Sequence, residues 1–384
     1  MSEIGKKKII AASYHRGSAN AISSVIIELI NKGEISVTVI GYGPAEKVFQ
    51  DFDIDYKKVS FYGLKDISVS SMIQLINKEK PDLILTGTAC QDPDKKDVLE
   101  QTITLAARNL GIRSLAILDF WLEYKERFSD LFTDESFKFL PDKIAVMDKI
   151  AVKEMLSKGF SREKLIITGN PYFDSLKKRA ASFSREKRMA LRKKIGLDCR
   201  LLIFYATTCF EREKKILGYW DLDNIKIISE VFSSLPKEKI GLVIGLHSRL
   251  PQKDLRKITK YVGHTNPRIK VIGNVDGREL ILVSDLVLTS LSTVGLEAVL
   301  LNKPSLSLQP GLKKEDPFIV SKLGIIPVGY TKDDCKRKIE RAILDEDYRE
   351  LVIPARYTDF RTDGKATERV INLVYKMLQK SCKN

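Results

Sequence analysis

Four hydroxyls stand close together in the stretch SDLVLTSLSTVGLEAVLLNKPSLSLQPG, Ser284 to Gly311. The apolar run Leu286-Val287-Leu288 stops at Thr289, Ser290, Ser292 and Thr293. Gly295 comes next, and Glu297 lies inside an otherwise apolar segment ahead of Lys303-Pro304 and a second apolar run. The pattern predicts a strand, a hydroxyl-rich turn, a helix and a further strand. A helix N-terminus presents unpaired N–H groups and a partial positive charge, and so receives anions readily. Ser290, Ser292 and Thr293 add donors suited to phosphate oxygens, and Gly295 would let the backbone come close. Glu297, about one turn in, could accept hydrogen bonds from a ribose hydroxyl pair. Capping by Ser292 or Thr293 accounts for one hydroxyl, not for four. The chemistry indicated is the binding of a nucleotide.

Other candidates sit at the ends of apolar runs. His247 closes GLVIG, and Arg249 beside it could form a bidentate phosphate contact. Thr207 and Thr208 come after the run LLIFYA and could bind phosphate; Gln309 comes after PSLSL as a further ligand contact. In the N-terminal half, SYHRGSAN places His15 and Arg16 at a strand end, with Ser18 and Asn20 of helix-capping type. TGTACQDPDKKD offers Gln91, Asp92 and Asp94, but the alternation of Asp with Lys fits a solvated turn better than a metal-binding acid pair. Asp119 ends SLAIL, with Trp121, Glu123, Tyr124 and Arg127 just after it. An acid there could act as general base for an acceptor hydroxyl, with His15 and Asp92 as the next candidates. Trp121 and Tyr124 could stack on a sugar ring. Neither a Walker loop nor GxGxxG is present, and no metal site or bound cofactor is expected.

The elements that must position these residues alternate. Short apolar runs such as KKIIAAS, SVTVIGYG and DLILTGTA are separated by longer amphipathic segments such as ANAISSVIIELINKG. This alternation predicts a parallel sheet with helices on both faces. The pattern then restarts with RLLIFYAT, giving two tandem Rossmann-like, doubly wound domains with an interdomain cleft. The boundary is expected near Gly169-Asn170-Pro171, with residues 1–170 on the acceptor side and 171–384 on the nucleotide side, the last helix packing back on the first domain.

The 384 residues are 43% hydrophobic and 30% charged, a globular composition, and no run approaches the ~20 apolar residues of a membrane span. The start lacks the apolar core of a secretory signal, and five scattered cysteines read as reduced thiols; a cytoplasmic location is expected. The net charge of +15 suits anionic partners, including peripheral contact with an anionic membrane. The basic stretch SLKKRAASFSREKRMALRKKIG has helical spacing and reads as a solvated helix face, so no nucleic-acid partner is expected.

Three stretches carry a family resemblance. LIITGNPYFDSL resembles the segment joining the two domains of hydrolysing UDP-N-acetylglucosamine 2-epimerases. PDLILTGTACQD with TLAARNLGIRSLAILDFWLEYKERF is similar to a strand-loop-helix-strand block of the same superfamily, whose last strand ends in an acid where Asp119 stands here. SLSTVGLEAVLLNKPSLSL resembles the donor-nucleotide loop and helix of GT-B glycosyltransferases. His247-Ser248 falls where some of those enzymes, notably sialyltransferases and polymer transferases, carry His-Pro. The resemblance covers nearly the whole chain and implies a GT-B-like nucleotide-sugar enzyme. A metal-independent glycosyltransferase of cell-surface polysaccharide or glycolipid synthesis is the first expectation, with a nucleotide-sugar donor and a glycan or lipid-linked acceptor. A 2-epimerase, or a non-catalytic nucleotide- or glycan-binding protein, are the alternatives. The epimerase pattern of an Arg-containing first loop and a His-Glu-Ala-Gly block is replaced here by SYHRGSAN and LDFWLEY.

Overall fold

A computed structural model describes residues 6–91, 96–235, 240–247, 250–263, 268–273, 275–351 and 362–379. The described residues up to 175 and from 362 onward form one compact unit, and residues 176–351 form another.

The apolar runs are too short for helices and become strands. In the first unit these are β1 (Lys8–Ser13), β2 (Ser36–Gly41), β3 (Leu83–Thr86), β4 (Arg113–Ile117), β5 (Lys143–Val146) and β6 (Leu165–Ile167). They form a sheet in the order β2-β1-β3-β4-β5-β6, with all neighbours parallel. Both faces are covered, which is why the strands carry apolar runs instead of an alternating pattern. Ile9 and Ala11 of β1 pack with Ile22 and Val25 of the helix Arg16–Lys32. Ile10 and Ala12 face the other way, towards Met72 and Leu75 of the helix Val69–Glu79 and Ile103 of the helix Leu99–Asn109.

The second unit repeats the plan with β7 (Leu201–Ala206), β8 (Ile240–Gly245), β9 (Ile269–Ile272), β10 (Leu286–Thr289), β11 (Ser305–Leu308) and β12 (Val328–Gly329). Their order is β12-β11-β10-β7-β8-β9, again all parallel. Ile203 and Tyr205 pack under Ile225 and Ile228 of the helix Asp221–Ser234, while Leu202 and Phe204 face Leu280, Ile281 and Ala298.

Each sheet has a point where the winding reverses. β1 lies between β2 and β3, and β7 lies between β8 and β10. Loops leaving the carboxyl ends of such a pair run in opposite directions and open a crevice, the usual ligand position in doubly wound sheets. In the first unit the loops after Ser13 and Thr86 form the crevice; in the second, the loops after Ala206 and Thr289 form it.

The last helix, Ala366–Gln379, belongs to the first unit. Val370, Val374 and Met377, spaced by four and three, enter the same core as Ile22 and Leu29. Asp174 accepts from the Thr367 amide (2.8 Å) and hydroxyl (2.9 Å), and Arg369 donates to the Thr168 carbonyl (2.9 Å). The basic helix Arg185–Ile195 buries only Ile195 and is otherwise largely solvated. Among the described residues no helix is long and apolar enough to cross a membrane.

Candidate functional site

In the second unit, β10 ends at Thr289, and Ser292 caps the helix Thr293–Leu300 by accepting from the Val294 amide at 3.3 Å. The Thr289 hydroxyl accepts from the Ser292 amide (3.2 Å) and braces the turn. Ser292 is half-buried and Thr293 exposed, so both stand at the open positive end of the helix.

Ser290 and Gln309 do not face solvent. Both are 0% exposed. The Ser290 hydroxyl accepts from Asn224 Nδ2 (2.7 Å), and its carbonyl accepts from Ser307 (2.7 Å). Gln309 Nε2 donates to Ser307 (3.1 Å), Asp316 (3.0 Å) and Ser321 (3.2 Å). As both side chains are fully buried, their part in ligand binding can only be indirect in this conformation, although Gln309 Oε1 has no hydrogen-bond partner among the described residues. Gly295 is likewise a packing residue: a Cβ there would lie 2.9 Å from Thr289 Cγ2, against β10. Glu297 is 8% exposed, which sets it apart from an ordinary surface carboxylate.

Across the crevice, Ala206 pairs with Thr289 on one side of β7 and with Gly245 on the other. Thr207 Oγ1 donates to the Gly245 carbonyl (3.1 Å) and accepts from the His247 amide (2.7 Å), which fixes the end of β8. His247 meets the Phe210 ring edge-on at 5.5 Å. The Thr208 amide donates to Asp221 Oδ2 (2.8 Å), while its hydroxyl oxygen is buried with no hydrogen-bond partner among the described residues. The fold thus brings Thr208, His247, Ser292 and Thr293 to neighbouring strand ends. Arg249 lies outside the described residues, as does Asp92.

In the first unit Asp119 lies just beyond β4. Its Oδ1 accepts from Thr88 Oγ1 (3.0 Å) and from Arg127 Nη1 (2.7 Å). Arg127 also donates to Thr88 Oγ1 (2.8 Å) and, through Nε, to the Leu122 carbonyl (3.0 Å). Burial works most strongly against the Arg127 charge, but Asp119 beside it, together with Cys90 and Glu123, outweighs that and holds the guanidinium above its ordinary pKa. Asp119 Oδ2 lies over the first turn of the helix Arg16–Lys32, where a Cβ on Gly17 would collide with it. Asp119 is therefore held by a cation and a hydroxyl, with its Oδ2 over the first turn of that helix.

Beside it, Glu100 is buried, and no motif in the sequence marks it. Its Oε1 accepts from the Tyr14 amide (2.7 Å), Ser18 (2.5 Å) and Ser13 (3.1 Å). Burial pushes its carboxyl up, opposed by the Ser18 hydrogen bond and the charge of His15. Ser18 thus serves Glu100 and is no helix cap; the helix begins two residues earlier, after His15. His15 meets the Tyr14 ring edge-on at 4.6 Å. Trp121 and Tyr124 are core residues, each 2% exposed, so neither is available as a sugar platform. Trp121 Nε1 donates to Asp148 (2.9 Å), and the Tyr124 hydroxyl donates to Glu154 (2.6 Å). Both aromatics have an apolar body that packs and a polar tip that finds an acceptor.

The Gly17–Asp119 contact makes a prediction. Gly17→Ala should force Asp119 off Arg127 or Thr88 and lower turnover by roughly 10²-fold. Its melting temperature should fall, because displacing Asp119 from the buried Arg127 costs more than the about 1 kcal/mol that alanine gains over glycine in a helix, so turnover is compared per folded molecule. Turnover at the wild-type level would show that the Asp119 position is not used.

Two doubly wound parallel-sheet units in tandem give the chain a GT-B-like fold. The sequence model of the CDP-glycerol:poly(glycerophosphate) glycerophosphotransferase family matches residues 146–376, more than half of the chain, and the chain belongs to that family. Among solved structures, the S. aureus MnaA–UDP co-structure is similar at 20% identity with a TM-score of 0.72, covering 97% of each chain. UDP-GlcNAc 2-epimerase from Neisseria meningitidis, bound to UDP-GlcNAc, is similar at 19% identity with a TM-score of 0.69, covering 96% of this chain and 100% of its own. A glycosyltransferase from Rickettsia africae is similar at 12% identity with a TM-score of 0.62, covering 98% and 100%. At these identities the likeness is one of fold. No curated protein matches the chain.

Proposed function

We propose that this chain is a transferase of cell-surface polymer synthesis that moves a group from a nucleotide-activated donor to an acceptor hydroxyl. The observation that carries the reading is the family match, which spans the whole described second unit. CDP-glycerol is accordingly the first donor to test, and a nucleotide sugar, as in a glycosyltransferase, the second.

The second unit holds the donor. Phosphate oxygens meet the N-terminus of the helix Thr293–Leu300 with Ser292, Thr293 and Thr208; His247 and Arg249 add donors, and Glu297 takes the ribose. The leaving nucleotide's charge is offset by these groups without a divalent ion. The first unit supplies the base. Asp119 takes the acceptor proton as the acceptor oxygen bonds to the transferred group, and the bond to the departing nucleotide breaks. Arg127 orients Asp119 through the hydrogen bond to Oδ1. With CDP-glycerol the new bond is to phosphorus and CMP leaves; with a nucleotide sugar it is to carbon.

A 2-epimerase would need several acids around one sugar carbon. Glu100 Oε1 is taken by two hydroxyls and an amide and its carboxyl is buried, while Asp119 is clamped by Arg127, an arrangement better suited to a single proton transfer. We place the enzyme in the cytoplasm, in peripheral contact with an anionic membrane through its positive charge.

The test is nucleotide release in EDTA. CDP-glycerol with a poly(glycerophosphate) acceptor should give acceptor-dependent CMP. Release only from UDP-GlcNAc and a glycan acceptor would select the glycosyltransferase reading. Acceptor-independent epimerisation of UDP-GlcNAc would overturn both. Loss of turnover in EDTA, restored by Mg²⁺ or Mn²⁺, would overturn metal independence.

A further inference from the structure

The first turn of the helix Asp221–Ser234 faces the sheet with two polar side chains where apolar ones would pack more cheaply. Asp221 and Asn224, three residues apart, are both 0% exposed. Asp221 Oδ2 accepts from the Thr208 amide (2.8 Å), and Oδ1 from the Tyr205 hydroxyl (2.7 Å); its own amide donates to the Cys209 carbonyl (3.0 Å). Asn224 Nδ2 donates to Ser290 Oγ (2.7 Å), the Tyr205 hydroxyl (3.1 Å) and the Leu308 carbonyl (3.1 Å). One helical turn is thereby tied to the loops after β7 and β10 and to the end of β11. The first two of these flank the switch point.

We propose that Asp221 and Asn224 are positioning residues of the nucleotide site, which set the spacing between the Thr208 loop and the Ser292–Thr293 turn so that both reach one phosphate group. This rests on the donor reading of that switch point. Ser290 is then the anchor by which the turn is held, which explains why a serine of the hydroxyl cluster points inward. The Tyr205 hydroxyl links the two ties, since it bonds to Asp221 and Asn224 together. Burial, chiefly, pushes the Asp221 carboxyl up to about 7, against the hydrogen bonds from Tyr205 and the loop amides. A carboxyl kept at that cost fits a role in geometry better than one in stability.

The experiment is calorimetric titration of CDP and UDP, with cytidine and uridine alongside, into the full chain and into Ser290→Ala, Asn224→Ala and the double variant, each checked for folding by circular dichroism. Wild type should bind at least one nucleotide. Ser290→Ala, which removes one buried oxygen and touches no ligand, should weaken nucleotide binding roughly tenfold while leaving the nucleoside affinity unchanged. Asn224→Ala should lose as much, and the double variant no more than either, because the two act in one linkage. If Asn224→Ala does not fold, Tyr205→Phe with Ser290→Ala makes the same comparison. Wild-type binding retained in full by folded Ser290→Ala would overturn the inference and leave the donor reading intact. Additive losses would overturn it too, since Asn224 would not be acting through Ser290. A wild type that binds neither nucleotide would overturn the donor reading and this inference together.

Discussion

Asp119→Asn should cut turnover by ~10²–10⁴ while the donor nucleotide binds as tightly as before. The side chain keeps its shape, and Asn Oδ1 can still accept from Thr88 and Arg127, so the hydrogen-bond frame survives. What is lost is the basic charge. Arg127, 9% exposed, then lacks its counter-ion, and removing the charge of one partner of a buried pair costs up to ~3–5 kcal/mol of stability. The two effects separate by measurement. A structural Asp119 would lower the melting temperature and leave turnover per folded molecule near wild type. A catalytic one lowers turnover in protein shown to be folded. Should turnover stay near wild type, the search for the base moves to His15 and Asp92.

The second large effect lies in the other unit. Ser292→Ala combined with Thr293→Ala should weaken nucleotide binding tenfold or more, since hydrogen bonds to a charged phosphate contribute ~1.5–3 kcal/mol each. Folding should survive, because the cap that Ser292 provides to Val294 contributes only ~1 kcal/mol. Calorimetry at a temperature where the variant is folded decides the matter. Unchanged affinity would remove the phosphate role from this turn, and with it the reason to place the donor at the β7–β10 switch point.

Much of this architecture can be read from the chain. Strands buried on both faces carry uninterrupted apolar runs, so KKIIAAS or DLVLT stands out against the amphipathic helices between them. The same burial hides direction. Thr289 and Ser290 are both fully buried while Ser292 is half-buried and Thr293 exposed, and residue type gives no sign of which hydroxyls lie inward. The two-residue β12 is too short for any pattern. Glu100 was legible in principle: with Ile103 and Ala107 it keeps the i, i+3, i+7 spacing of a buried stripe, and an acid on such a stripe must find partners. Asp221 and Asn224 gave less warning, because the start of a helix is an ordinary place for both residue types. For Trp121 and Tyr124, residue type left ring stacking and the commoner core packing both open, and burial decided for the core.

The placement of the last helix bears on how the protein is made. Val370 and Val374 complete the core that Ile22 and Leu29 begin, about 350 residues earlier in the chain. On a ribosome this sheet emerges before the second unit, yet it must wait with one flank of its core open until the helix Ala366–Gln379 is released. The later-emerging unit, whose strands are all local to residues 201–329, can close before that. The part synthesised first is therefore finished last, and its exposed apolar flank is the surface on which a nascent chain would need a chaperone.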